Sequence, residues 1–331
     1  MKYGKSQKEV KDWLLLQRKA VRDNAWASDD SVTVKQFMAR YLSDVVKPSV
    51  RYSTFIRYQD LINLHICGSL GDLKLAKLTP QIVQKFYTDK LNEGQSSRSV
   101  QFMHAILHKA LKQAMRWDLV VRNVSDMVNP PSVKRYKPTV WSLEQIKQFI
   151  EAAKGHRHYE LFVLAVSCGL RQGELLGLQI SDVDFTTGFL HIHQSLEIVR
   201  GGGTRLTETK TERSHRSIRI PGPVLETLRA YVAGLKRSDG FLFVTTVGTP
   251  IRGRDLVKEF KGIIEKAGLP EIRFHDLRHS CATLHLKAGT PMVVVAQILG
   301  HSTPALTASV YSHVLPEVEQ EASERMAKLL S

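Results

Sequence analysis

The sequence predicts an α+β protein in two parts: a small all-helical unit, then a mainly helical unit carrying a small antiparallel sheet. Three observations predict it. Up to about residue 127, apolar residues recur at the three- and four-residue spacing of amphipathic helices, several runs opening on a residue that caps helices. A proline-rich break follows, from Asn129-Pro130-Pro131 to Pro138. Beyond it, residues 189–199 alternate apolar and polar as a strand does, and Gly201-Gly202-Gly203 supplies a turn.

The elements follow in order. Residues 1–28 form a basic segment with a helical run over 10–21. A helix over 33–45 carries Val34, Phe37, Met38, Tyr41 and Leu42 at helical spacing, with Thr33 as its cap. A second covers 53–66, capped by Ser53. Thr79-Pro80 opens a third, since threonine caps and proline is tolerated in the first turn; its apolar face is Ile82, Val83, Phe86 and Tyr87. A fourth covers 96–117. These make a helical domain over 30–127 and leave 128–140 as an extended linker, because proline fixes φ and removes donors.

In the second part, Ser142-x-x-Gln145 is a capping box. Residues 161–170 are a strongly apolar helical run; 206–210 and 216–220 are further short strands; the chain is helical again after Pro223. This domain spans 141–315, and a helical tail covers 316–331, with Val318, Ala322, Met326 and Leu329 on one stripe.

The 331 residues carry a formal charge of +15. Residues 1–135 hold 23 Lys and Arg against 12 Asp and Glu, so most of the excess lies in the helical part. Such a surface favours a polyanionic partner and says nothing about fold. Cys67, Cys168 and Cys281 have no metal-type spacing and sit among apolar neighbours, as buried free thiols do. No apolar stretch reaches the roughly 18 residues of a membrane span, and the N-terminus lacks the apolar region of a signal peptide, so a cytoplasmic protein is expected.

Certain residues carry chemistry. In His275-Asp276-Leu277-Arg278, helical spacing points a histidine and an arginine at one spot; a surface pair does the same. Arg171 follows Gly169 at a break between two apolar runs; it is either a phosphate ligand or a structural partner of Glu174. Thr290 caps a helix whose first residue is Pro291 and which Gly300 ends, so that His301 emerges at the helix end. Thr303-Pro304 starts another short helix carrying Tyr311.

Taken in order, GLRQGELLGL, TKT, HDLRHSCAT, LGHS and then Tyr311 resemble the tyrosine recombinase, or phage integrase, family of site-specific DNA recombinases. The resemblance is strong over about 140–315. It implies the DNA breaking-rejoining fold there and a SAM-like core-binding domain over 30–127. It also implies roles. Tyr311 is the nucleophile that forms a 3′-phosphotyrosyl bond. Arg171 and Arg278 hold the non-bridging oxygens, and Lys210 protonates the leaving 5′-oxygen, with Arg205 and Arg213 as fallbacks. His275 assists proton transfer, His301 donates to the phosphate, and Glu174 supports the site.

The chemistry is consistent with those roles. A free tyrosine has a pKa of about 10, so roughly one in a thousand is phenolate at neutral pH. Fixed cations must therefore do the work, and Arg171, Arg278, Lys210 and His301 are the expected ones. There is no clustered acidic set for metals and no phosphate loop, so neither metal nor cofactor is expected. ATP is not needed, because exchanging a phosphodiester for a phosphotyrosine conserves the bond energy. The implied partners are double-stranded DNA, three further copies in a tetramer that passes through a Holliday junction, and accessory bending or directionality factors. The tail is expected to dock on a neighbouring copy, with docking on its own domain as the alternative, and residues 1–28 are either a basic helix packing on the helical domain or, by resemblance, the end of an arm-type DNA-binding domain. A Xer-like chromosome-dimer recombinase shares the chemistry; the N-terminal segment and the Gly201–Gly203 insertion favour a mobile element. A type IB topoisomerase-like monomer conflicts with the tail, and an inactive DNA-binding protein with the complete residue set.

Overall fold

The computed structural model describes residues 11, 31–133, 138–208, 215–301, 303, 308, 323, 324, 326, 327 and 330. Its contacts cluster into two compact units, Met1–Tyr136 and Lys137–Ser331. The helix expected within 1–28, the short helix expected after Thr303 and the 316–331 tail lie almost wholly outside the described residues, as do 134–137 of the linker.

The first unit is helical. Thr33 caps α1 (Val34–Tyr41): its hydroxyl accepts from the Gln36 N–H at 3.2 Å, and the Gln36 side chain accepts from the Thr33 N–H at 2.9 Å. The helix does not stop at 45 but runs through a π-turn, Leu42–Val46, to Lys47–Ser49. Pro48 gives the reason. Its ring would strike the Asp44 carbonyl in a regular α-helix and it has no N–H to donate, and the wider turn absorbs both conflicts. The second helix, α2 (Tyr52–Leu61), continues through another π-turn, Ile62–Ile66, into Cys67–Leu70. Ser53 is not its cap: Val50 and Arg51 are extended, Arg51 takes the N-cap position, and Ser53 falls in the first turn.

Thr79 caps α3 (Pro80–Asn92) by accepting from the Ile82 N–H, and Ser96 caps α4 (Ser97–Arg116) by accepting from the Ser99 N–H. Phe37, Met38, Ile62, Ile66, Tyr87, Met103 and Ile106 form the centre of this unit's core.

In the second unit the Ser142–Gln145 box opens α5 (Leu143–Ala152). The apolar run is α6 (Tyr159–Cys168), which ends on Gly169 in the left-handed conformation, φ 59°. A short helix, α7 (Gln172–Gly177), leads to the strands β1 (Val183–Asp184), β2 (Phe189–Ile192), β3 (Gln194–Ile198), β4 (Thr204–Glu208) and β5 (Arg216–Arg219). The single strand expected over 189–199 is in fact two, β2 and β3, parting at His193 into different sheets. One sheet has the order β1-β2-β5; the other is the β3-β4 hairpin, closed by the Val199 N–H donating to the Gly203 carbonyl. Leu190 and Ile192 are buried on β2, whereas every residue of β3 keeps some exposure, so burial demands different neighbours for the two halves.

Further helices follow among the described residues: α8 (Gly222–Ala233), α9 (Gly253–Lys266), α10 (Asp276–Lys287) and α11 (Met292–Leu299). Thr290 does not cap α11. Its N–H donates to the His285 carbonyl and closes the end of α10, leaving Pro291 at the N-cap position of α11. Trp141, Phe149, Phe162 and Phe260 stack at 5.2–6.2 Å in the core, fixing α5, α6 and α9 to one another.

Candidate active site

Three chain breaks in the second unit converge. Arg171 stands at the N-cap position of α7. Its N–H donates to Glu174 Oε2 at 3.0 Å, and its guanidinium donates to Glu174 Oε1 at 2.7 Å and to the Gly300 carbonyl at 3.0 Å. Arg171 is paired with Glu174, and its side chain remains 39% exposed.

His275 takes the N-cap position of α10, and Arg278 lies in the first turn. Asp276 is fully buried and accepts three hydrogen bonds from Arg273, which fixes the turn presenting His275. Arg278 is buried and donates to the Gly169 carbonyl at 2.7 Å and to the Leu299 carbonyl. The third break is the end of α11. Gly300 is left-handed at φ 62°, and the His301 N–H donates to the Ala296 carbonyl at 2.9 Å. His301 thus emerges at a helix end beside the arginines.

Arg171, Glu174, His275, Arg278 and His301 are brought together. Lys210, Arg213 and Tyr311 lie outside the described residues, and the other fallback, Arg205, is on β4 opposite Glu197 at 3.4 Å.

Two residues at the site were not singled out from the sequence. Arg216, on β5, has a side chain only 7% exposed. It donates to both oxygens of Glu174, at 3.2 and 2.9 Å, and through Nε to the Ile298 carbonyl at 2.7 Å. A signal existed: strand alternation puts Arg216 on the same face as the buried Ile218 and Ile220, and an inward arginine needs a buried acceptor. His279 lies one helical turn beyond His275, its ring edge-on at 5.2 Å.

Three consecutive carbonyls, of Ile298, Leu299 and Gly300, therefore receive Arg216, Arg278 and Arg171. A helix C-terminus carries partial negative charge and unpaired carbonyls, so it is a natural anchor for guanidinium groups.

Burial pushes the Glu174 carboxyl up, but the Arg216 and Arg171 contacts outweigh it and hold the pKa at about 2. Burial, reinforced by the neighbouring arginines, lowers His301 to about 4; burial and His275 lower His279 to about 4. His275 is lowered too, by desolvation and by Arg278. His301, expected among the cations, is thus neutral near pH 7. Among the described residues, the three arginines anchored on the end of α11 face one carboxylate, Glu174, an excess of positive charge suited to an anion. Among the described residues no group of three His, Cys, Asp or Glu side chains is placed to hold a metal ion, and no helix is long and apolar enough to cross a membrane. Cys168 and Cys281 are buried and Cys67 is partly buried; burial pushes the Cys281 thiol up to about 12.

Arg171 and Arg278 thus meet around one helix end, on a mainly helical unit with two small antiparallel sheets. Residues 140–317 match the Phage integrase family, and residues 33–91 match the N-terminal SAM-like domain of phage integrases. The chain belongs to the phage integrase family. It is 29% identical to a tyrosine recombinase XerC-like protein of Caldanaerobacter subterraneus, over 99% of this chain and 91% of that one. It is 26% identical to the ICEBs1 integrase of Bacillus subtilis, over 82% and 76% of the two chains. The fold is similar to that of the Tn1549 transposon integrase in complex with a circular intermediate DNA, with a TM-score of 0.78 at 21% identity, covering 89% of this chain and all of that one. It is also similar to that of a lambda integrase tetramer bound to a Holliday junction, with a TM-score of 0.66 at 19% identity, covering 92% and 90%.

Proposed function

We propose that this protein is the site-specific recombinase of a mobile element, cutting and rejoining double-stranded DNA through a 3′-phosphotyrosyl intermediate. The observation that carries the reading is the convergence of Arg171 and Arg278 on adjacent carbonyls at the helix end that presents His301. Two guanidiniums held one residue apart suit the two non-bridging oxygens of one phosphodiester. His301 donates a further hydrogen bond as a neutral imidazole, and His275 receives or returns the tyrosine proton. In this reading the Tyr311 oxygen attacks phosphorus, the phosphorus–O5′ bond breaks, and Lys210 supplies the proton to the leaving oxygen. The second exchange reverses these events with another strand's 5′-hydroxyl. Covalent catalysis divides one hard transfer into two easier ones and leaves the number of phosphodiester-type bonds unchanged.

Relatives borne by integrative elements and phages, ICEBs1 and the mycobacterial phage L5 among them, favour the mobile-element assignment. The XerC-like relative is the observation favouring a chromosome-dimer role with the same chemistry. The circular-intermediate DNA and Holliday-junction complexes of the similar integrases support DNA as substrate and four copies as the working assembly; in the same reading the protein acts in the cytoplasm, where DNA lies.

The test uses nicked duplexes tiled across the DNA flanking the protein's own coding sequence, a nick beside the cleavage point trapping the covalent complex. Wild-type protein should form an adduct that resists denaturation, and Tyr311→Phe should form none. Adducts from Tyr311→Phe would remove Tyr311 as nucleophile.

A further inference from the structure

We propose that Arg216 is a positioning residue of the catalytic site. Through Glu174 and the Ile298 carbonyl it locks the turn that carries His301 to the start of the helix that carries Arg171. The inference rests on the functional reading above and adds a residue outside the expected set.

Arg216 spends its fork on two elements at once. Nη1 and Nη2 hold Glu174 at both oxygens, while Nε holds Ile298, three residues before His301. Glu174 in turn holds the backbone and guanidinium of Arg171. Removing Arg216 breaks the link between β5, the start of α7 and the end of α11. The space for it is built into the fold: a Cβ on Gly300 would lie 2.9 Å from Arg216 Nη1 and 3.2 Å from its Cδ. Gly300 is therefore required twice, for its left-handed backbone and for the room it leaves to this guanidinium.

Lysine cannot replace the fork. It brings one charged nitrogen that cannot meet three acceptors in this planar arrangement. If Arg216 only balanced the Glu174 charge, Arg216→Lys would behave like the parent. If it sets geometry, lysine fails almost as badly as methionine. Misplacement of a reacting group by about 1 Å is enough for a loss on the order of 100-fold.

The experiment compares wild-type protein, Arg216→Lys, Arg216→Met and the control Arg229→Met, an exposed arginine on α8. Duplex affinity and single-turnover cleavage at saturating DNA are measured on the nicked duplex that the wild type cleaves. We expect both Arg216 variants to hold affinity within a factor of about three while cleavage slows on the order of 100-fold. The control should match the wild type. Cleavage by Arg216→Lys within about threefold of wild type, or a loss confined to affinity, overturns the proposal. Should a single variant fail to fold, Arg216→Met combined with Glu174→Gln removes both buried charges; it must cleave as slowly, and wild-type speed overturns the proposal.

Absence of any adduct from the wild type would count against the functional reading alone. Amide exchange at Gly300 and His301, read without DNA, still decides this one: faster exchange in both Arg216 variants supports it, and unchanged exchange overturns it.

Discussion

At Glu174, a carboxylate whose side chain is 3% exposed stays ionised because Arg171 and Arg216 hold it. Its ordinary value is 4.5 and its folded value about 2, so it adds stability above about pH 4.5 that is lost as pH falls toward 2. His279 and His301 act in a higher window with the same sign. Their folded values near 4 lie below the ordinary 6.5, so between those limits the unfolded chain binds more protons than the folded one. Stability therefore rises with pH through that window and gains nothing more from these groups above it. Thermal melts should show Tm falling by a few degrees from about pH 7 to about pH 5. A flat Tm across that range would contradict neutral, half-buried imidazoles.

At the scale of elements, the end of α11 is the part on which the site is assembled. Left-handed backbone at a residue with a Cβ costs roughly 1–2 kcal/mol, and at Gly300 that Cβ also meets Arg216. Gly300→Ala should lower stability by about that amount and slow strand cleavage well beyond its effect on DNA affinity. Wild-type cleavage in Gly300→Ala would show that the turn tolerates displacement. The capping elements behave more locally: Thr33 and Ser142 each close a reciprocal box, and their loss would loosen one helix start without reaching the site.

At the scale of the whole molecule, the +15 charge is concentrated in residues 1–135, with 23 basic side chains against 12 acidic. DNA binding should therefore weaken steeply with salt. If about six to ten phosphates are neutralised, affinity falls about 10³- to 10⁵-fold between roughly 50 and 200 mM monovalent salt. A titration showing little salt dependence would mean that this charge does not meet the phosphate backbone.

Local patterns in the sequence were enough to read the helical first part, antiparallel strands in the second, most helix starts and the family. These rest on local rules: apolar spacing, capping side chains and short motifs whose members sit near one another in the chain. It also named Arg171, Glu174, His275, Arg278 and His301, which the structure brings together. Tertiary structure decided what spans distance. The run over 189–199 divides because burial differs between its two halves, a property of neighbours elsewhere in the chain. Thr290 turns away from α11 because both its N–H and its hydroxyl are held by His285 of the preceding helix. Arg216 could be recognised as part of the site only once β5 and α11 lay side by side, because its acceptors are 42 and 82 residues away in sequence. The protonation of His301 was likewise beyond local reading, since it is set by burial and by arginines drawn from three separate elements.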